Sequence, residues 1–367
     1  MSNKIRVGVL FGGKSTEHEI SLRSAKNIIA AIDANKYEAV LIGIDKTGQW
    51  MLGENAQVLL ESAGAENKDT GRDDSMEMVF LNQKNNQTQL TTLNHQGVVH
   101  TAIDVIFPIL HGAYGEDGTM QGFLKLMDVP FVGSGVLGSA VAMDKDIAKR
   151  LWRDAGIPIA DFLTIRKHST YPTYETVKEK LGLPFFIKPA NAGSSVGVSK
   201  VSQEADYLVK LHHAFEFDHK VLIEEAIMGK ELECAVLGNE QPVASAVGEI
   251  IPQHDFYSYE AKYLSDDGAA MAIPADISEV VAEKIRALAI DAYQAIACEG
   301  LSRVDFLYDN KDKIVINEIN TLPGFTSISM YPKLWEHSGM TQTELVDRLI
   351  QLAIERHERN QQLKFSL

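Results

Sequence analysis

Two acids, an arginine and an asparagine recur at regular spacing in two short segments, Arg303-Val304-Asp305-Phe306-Leu307 and Val315-Ile316-Asn317-Glu318-Ile319-Asn320. Between them lies Asp309-Asn310-Lys311-Asp312-Lys313, a run of turn formers. Two β-branched-rich runs around such a turn read as an antiparallel hairpin. With the turn centred on Lys311-Asp312, Asp305 falls opposite Glu318 and Arg303 opposite Asn320. Side chains alternate along a strand, so these four share one face, while Val304, Phe306, Val315 and Ile319 share the other, a core face. Two facing carboxylates roughly 4 Å apart repel by about 4 kcal/mol at an effective dielectric of about 20. A hard divalent cation removes that cost, and two carboxylates with an amide oxygen suit Mg²⁺ or Mn²⁺ completed by phosphate oxygens and water. A solvated hairpin with surface charges is the plainer reading, and the interleaved apolar residues argue against it. The next loop, Thr321-Leu322-Pro323-Gly324-Phe325-Thr326, can bring backbone N–H groups to an anion.

Other segments carry compatible chemistry. Gly193-Ser194-Ser195-Val196-Gly197 is a glycine-rich stretch whose successive N–H groups can nest a phosphate. Lys188 ends the strand before it, and Lys145 follows Met143-Asp144 at a helix start; two lysines beside one such loop fit phosphate contacts, although either alone reads as a surface residue. Glu224 and Glu225 end a strand, where an acceptor can take ribose hydroxyls or an adenine amino group, or simply meet water. Tyr257-Ser258-Tyr259-Glu260-Ala261-Lys262-Tyr263 puts three tyrosines, a lysine and an acid in one loop, which suits a lid.

Gly8 through Ser15 matches the P-loop pattern, but Val9, Leu10 and Phe11 continue a buried strand where a P-loop needs its phosphate-cradling turn. The alternative is a glycine turn at Gly12-Gly13 entering a helix. Glu17 beside the free N–H groups there either compensates the helix dipole or binds an ammonium group, and the sequence leaves both open.

The elements that must position these residues begin with an apolar strand, Ile5–Phe11, a helix, Ser21–Ile32, and a strand, Ala39–Ile44: a β-α-β start that predicts an open parallel sheet. Residues of about 54–98 turn polar, with Asn85-Asn86-Gln87-Thr88-Gln89 at their centre, and read as a peripheral insertion with minor strands. Ile103–Leu110 returns to a strand and runs into the glycine-rich loop 111–118, at the end where such sheets bind ligands. Strand and helix patterns alternate over 140–228; strands dominate from 229, with one helix at Ser278–Ala297 and another closing the chain at Thr343–Glu358. Three units are expected, 1–139, 140–228 and 229–367.

Composition bounds the function. A chain of 367 residues with 45% hydrophobic and 23% charged residues is globular. A formal net charge of −15 argues against nucleic acid or an anionic membrane as partner. Cys234 and Cys298 alone fit a reducing cytoplasm rather than a disulfide framework or zinc site, and no leader or spanning segment is expected.

Taken together, Phe11 through Ser21, His111-Gly112 through Gly118, Met143-Asp144-Lys145, Lys188-Pro189 through Gly197, Tyr259 through Tyr263 and Arg303 through Gly324 resemble the ATP-grasp superfamily. Within it they look like the D-alanine–D-alanine ligases, in the same order over nearly the whole chain. The resemblance implies an α/β and α+β architecture: an N-terminal open parallel-sheet (preATP-grasp) domain, then a two-subdomain ATP-grasp fold holding ATP between antiparallel sheets. It implies that two D-alanines and ATP give D-alanyl-D-alanine, ADP and phosphate through an acylphosphate, for peptidoglycan synthesis, in a cytoplasmic homodimer. Glu17 would hold the first ammonium group, with His111 nearby, and Arg303 and Gly324 would form the oxyanion hole. Ser329, with Met330 next to it, would bind the second carboxylate. Lys145, Lys188, Ser194, Ser195 and Lys262 would face the phosphates; Glu224, Glu225 and Glu231 the nucleoside; and Asn317 and Glu318 would also face the nucleotide. Asp305, Glu318 and Asn320 would hold two Mg²⁺, with Mn²⁺ able to substitute. Glu17, Ser194 and Tyr263 would form a hydrogen-bonded triad. The competing readings are a ligase for another acceptor such as D-lactate, a nucleotide sensor without catalysis, and a P-loop NTPase using Lys14.

Overall fold

The computed structural model describes residues 4–63, 78–84, 87–94, 97–252, 269–309 and 311–364. The tyrosine-rich loop with Lys262 and Tyr263 lies outside the described residues. The first sheet has the order β3-β2-β1-β7, from β1 (Ile5–Gly12), β2 (Tyr37–Ile44), β3 (Trp50–Leu52) and β7 (Val105–Ile109). β1 runs parallel to both β2 and β7. Its continuous apolar run follows from burial on both faces: Val7, Val9 and Phe11 enter one core cluster and Leu10 another. Helix α1 (His18–Ala31) covers the first face.

The polar stretch forms α2 (Gly53–Glu61) and an antiparallel meander of β4 (Met78–Lys84), β5 (Gln87–Asn94) and β6 (Gly97–Ile103). The minor strands expected there are present, and Leu90 and Ile103 bury against Leu10 and Ile42 of the first sheet.

Helices α3 (Thr119–Leu126), α4 (Val136–Met143) and α5 (Lys145–Asp154) lead to a second, four-stranded sheet of order β10-β9-β11-β8. It comprises β8 (Phe162–Arg166), β9 (Phe185–Pro189), β10 (Ser199–Val201) and β11 (Lys220–Glu225), all antiparallel. α6 (Tyr174–Leu181) and α7 (Glu204–Ala214) bury Val177 and Leu211 with Phe185 and Ile187.

The third sheet is five-stranded and antiparallel, with the order β14-β13-β12-β15-β16. Its strands are β12 (Lys230–Gly238), β13 (Val243–Pro252), β14 (Ala269–Ala272), β15 (Gly300–Tyr308) and β16 (Ile314–Asn320). α8 (Glu279–Ala295) packs on one face. α9 (Met330–His337) and α10 (Gln342–Gln361) share the core of α1 and the first sheet, through Tyr331, Trp335, Leu345 and Leu349.

The hairpin register is as expected at its functional end, with Arg303 opposite Asn320 and Asp305 opposite Glu318. Beyond it the alternation fails: Phe306 pairs with Ile316, leaving Asn317 as the extra residue of a bulge. The expected core face is therefore corrected. Val304, Phe306 and Ile319 do enter the apolar cluster, but with Ile314 and Ile316; Val315 is buried outside it.

Candidate active site

The loops at the carboxyl ends of β1 and β7, the start of α5, the glycine-rich loop after β9 and the functional end of the hairpin surround one cleft of about 700 Å³. Gly12 and Gly13 have φ of 91° and 99°, which glycine adopts without the Cβ penalty, and they turn the chain from β1 into α1. A Cβ on Gly12 would stand 2.1 Å from the Ile44 carbonyl oxygen, so the turn is closed to other residues. β1 extends through Phe11 to Gly12 and Lys14 is exposed, as the rejection of the P-loop match required.

Glu17 sits just before α1 and makes no side-chain cap bond to it. Its carboxylate instead accepts a 2.5 Å hydrogen bond from Ser194 Oγ, and it is 8% exposed. This ties the first helix to the glycine-rich loop, where Ser194 and Ser195 occupy left-handed backbone, φ 51° and 60°. His111 Nδ1 donates to the Leu322 carbonyl at 2.9 Å, which leaves Nε2 facing Ser24 Oγ at 3.4 Å. Burial lowers the His111 pKa, against the opposing pull of Glu17, so the neutral ring is favoured. Glu116, which the sequence reading did not single out, lines the same cleft and accepts from Gly112 N–H at 2.8 Å. Burial, then the charge of Glu17, pushes its carboxyl up to about 8.

Lys145 is the first residue of α5. Its Nζ donates to the Ala192 carbonyl at 2.8 Å and stands 3.1 Å from Glu318 Oε2, bringing a lysine, the glycine-rich loop and a hairpin acid together. Lys188 Nζ donates to Glu224 Oε1 at 2.9 Å and to Asn317 Oδ1 at 3.2 Å. The bulge explains how Asn317 and Glu318, adjacent in sequence, both meet cleft lysines.

Glu224 is 2% exposed and does not end in water. Its second oxygen stands 3.1 Å from Lys149 Nζ in an ion pair without hydrogen-bond geometry. Burial pushes Lys149 down to about 8, while Lys149 and Lys188 together overcome burial to keep the Glu224 pKa low. Glu224 thus sits between Lys188 and Lys149. Lys149 was missed, although its spacing of four residues from Lys145 puts both on one helix face. Glu225 points elsewhere, accepting from Asp161 N–H at 2.9 Å and Lys313 Nζ at 2.8 Å. Glu231 lies half-buried on β12, opposite Leu307 and Ile250.

Arg303 lines the cleft, donating from Nε and Nη2 to Asp305 at 2.8 and 2.7 Å, with Glu233 Oε2 3.1 Å away. Burial disfavours its charge, but Asp305 and Glu233 outweigh that and raise its pKa well above the ordinary value. Glu233 was also missed: it faces Asp305 across β12 and β15, a pairing that no local sequence signal gives. Asn320 Oδ1 accepts from Leu322 N–H at 3.1 Å, and Ser329 Oγ from Thr326 N–H at 3.0 Å. Gly324 lies against this hydroxyl, where a Cβ would approach Ser329 Oγ to 2.8 Å, and Met330 lines the same wall. Among the described residues no helix is long and apolar enough to cross a membrane.

Lysines, a glycine-rich loop and paired acids between two antiparallel sheets define an ATP-grasp enzyme. Sequence models described as the D-ala D-ala ligase N-terminus and C-terminus match residues 6–134 and 151–351. The chain is 51% identical to a D-alanine–D-alanine ligase of Oceanobacillus iheyensis over 99% of both chains. It is 50% identical to D-alanine–D-alanine ligase A of Escherichia coli over 99% of this chain and 100% of that one. The structure of the D-alanine–D-alanine ligase from Coxiella burnetii superposes with a TM-score of 0.86 at 38% identity, covering 98% of this chain and 97% of that one. The VanG D-Ala:D-Ser ligase of Enterococcus faecalis superposes with 0.81 at 34% identity, covering 96% and 100%. The chain belongs to the D-alanine–D-alanine ligase family.

Proposed function

We propose that the chain joins two D-alanines into D-alanyl-D-alanine for peptidoglycan synthesis, converting ATP to ADP and phosphate. The observation that carries the reading is the Lys145–Glu318 pair, which stands beside the glycine-rich loop in the cleft that also holds Glu17. A carboxylate is a poor electrophile, so ATP first turns it into an acylphosphate, a step that asks the protein for position and charge rather than covalent work. Lys145, Lys188 and the glycine-rich loop 193–197 receive the phosphates. Glu17 takes the first ammonium group, with Ser194 fixing its carboxylate. The second amine attacks the acyl carbon, and Arg303 with the Gly324 N–H stabilises the oxyanion. Ser329 Oγ holds the second carboxylate.

The hairpin suits a hard cation: its donors are oxygens only, and Asp305 and Glu318 face each other in register. Each acid has a side-chain cation partner, Arg303 or Lys145, as it stands. Asp305, Glu318 and Asn320 would hold Mg²⁺, which when bound neutralises phosphate charge.

Phosphate release from ATP and Mg²⁺, measured with D-alanine, L-alanine, D-lactate or no acceptor, tests the reading. Release that requires D-alanine, with the dipeptide seen by mass spectrometry, is expected. Release without an amino acid, or a preference for D-lactate, overturns it.

A further inference from the structure

Lys220 is a buried cation that the reaction above does not use. It opens β11, and its Nζ donates to both oxygens of Asp144 at 2.6 and 2.5 Å, with Asp146 Oδ2 3.4 Å away. Asp146 is otherwise served by Arg150 and Thr164, each at 2.7 Å. Among the described residues no other side-chain cation reaches Asp144. Asp144 is the chain neighbour of Lys145 and caps α5, accepting from Asp146 N–H at 3.1 Å and Ile147 N–H at 3.2 Å.

The backbone of the same residues forms a second link. The Lys220 carbonyl accepts from Ala190 N–H at 2.9 Å, and the Ala190 carbonyl accepts from Lys145 N–H at 3.0 Å. The start of α5 and the strand exit into the glycine-rich loop are thus registered through one lysine. The Lys145 ammonium meets Ala192 and Glu318 in the cleft, while the carboxylate of its chain neighbour Asp144 is matched on both oxygens by Lys220. Without Lys220 the partly buried Asp144 carboxylate would be left uncompensated beside the start of α5 and would draw on another cation.

We infer that Lys220 is a positioning residue for the nucleotide step: by occupying both oxygens of Asp144 it stops that carboxylate drawing Lys145 out of the cleft. The inference rests on the reading of Lys145 as a phosphate contact. It assigns Lys220 no contact with any substrate.

Steady-state kinetics of the full chain test it. Lys220→Met is expected to raise KM for ATP about tenfold and leave KM for D-alanine within about twofold. Lys220→Arg keeps a fork able to engage a carboxylate on both oxygens and stays near the parent. Adding Asp144→Asn to Lys220→Met removes the competing charge while keeping a good cap and restores KM for ATP, whereas adding Asp146→Asn, which also relieves buried charge, does not. If Lys220→Met alone does not fold, Asp146→Asn/Lys220→Met has less buried charge left unmatched and carries the same expectation. A folded variant with unchanged KM for ATP overturns the inference, as do equal rises for both substrates or a failure of Asp144→Asn to restore. Lys145→Met separates the two levels. If it raises KM for ATP while Lys220→Met does not, only the inference falls; if it leaves KM for ATP unchanged, the phosphate role of Lys145 and the inference fall together.

Discussion

Glu116 and Glu17 flank Gly112: the Gly112 N–H donates to one, and a Cβ on Gly112 would stand 2.9 Å from the other. Glu116 therefore carries an electrostatic cost when ionised. Its folded pKa of about 8 lies above its unfolded value near 4.5, so the folded state binds the extra proton between those values. Its contribution to stability is fully present below the unfolded value and is lost as pH rises through about 8. Glu116→Gln removes that dependence and keeps an oxygen for Gly112. In thermal melts without ligand, the variant should match the parent near pH 4 and exceed it increasingly towards pH 8.5. Parallel melting curves at all pH values would refute the assignment. The sequence could not show this carboxylate, because its state depends on Glu17, 99 positions away in the chain.

The elements differ in how legible they were. β1, α1 and the hairpin could be read because local patterns decide them: a run buried on both faces, helical spacing, and turn formers between β-branched runs. The Arg303–Asn320 and Asp305–Glu318 pairings were read correctly, yet the bulge at Asn317 was not, since nothing in Ile316-Asn317-Glu318 marks an extra residue. It arises where the hairpin must present two adjacent polar side chains to Lys188 and Lys145. The pairing of β12 with β15, which brings Glu233 to Arg303, is likewise set by tertiary packing alone. At this scale Gly229, in the connection from β11 to β12, is decisive. A Cβ there would lie 1.9 Å from the Tyr308 carbonyl oxygen, a backbone atom held in the sheet that cannot yield cheaply. Gly229→Ala should destabilise by about 3 kcal/mol in urea titrations, and a loss under about 0.5 kcal/mol would contradict the fit.

Across the whole molecule, α10 reaches back from the end of the described chain to its first sheet. Arg356 is 6% exposed and donates from Nη2 to the Phe131 carbonyl at 2.7 Å and from Nη1 to the Gly133 carbonyl, with its guanidinium 4.5 Å from the Phe131 ring centroid. Residues 131–134 in turn pair with β7 through Ile106 and meet Glu299, next to β15, through Ser134. One guanidinium thus anchors the segment joining the first and third sheets. Arg356→Met leaves two buried carbonyls without donors and should cost about 2 kcal/mol. Amide exchange should speed up at Val132 and Ser134 before it does in α7; uniform acceleration would argue against a local clasp.

The same stitching occurs at the cleft. Asn27 donates to the Phe325 carbonyl, Ser24 accepts from Phe325 N–H, and His111 donates to the Leu322 carbonyl. The two halves matched by the separate family models, residues 6–134 and 151–351, are therefore joined directly at the cleft. A chimera that took its first half from one ligase and its second from another would inherit Ser24, Asn27 and His111 from one parent and the 322–325 loop they grip from the other. Each of these bonds ends on a main-chain atom of the loop, so what such a chimera must preserve is the path of residues 322–325 and the three side chains that hold it, not the loop's own side chains.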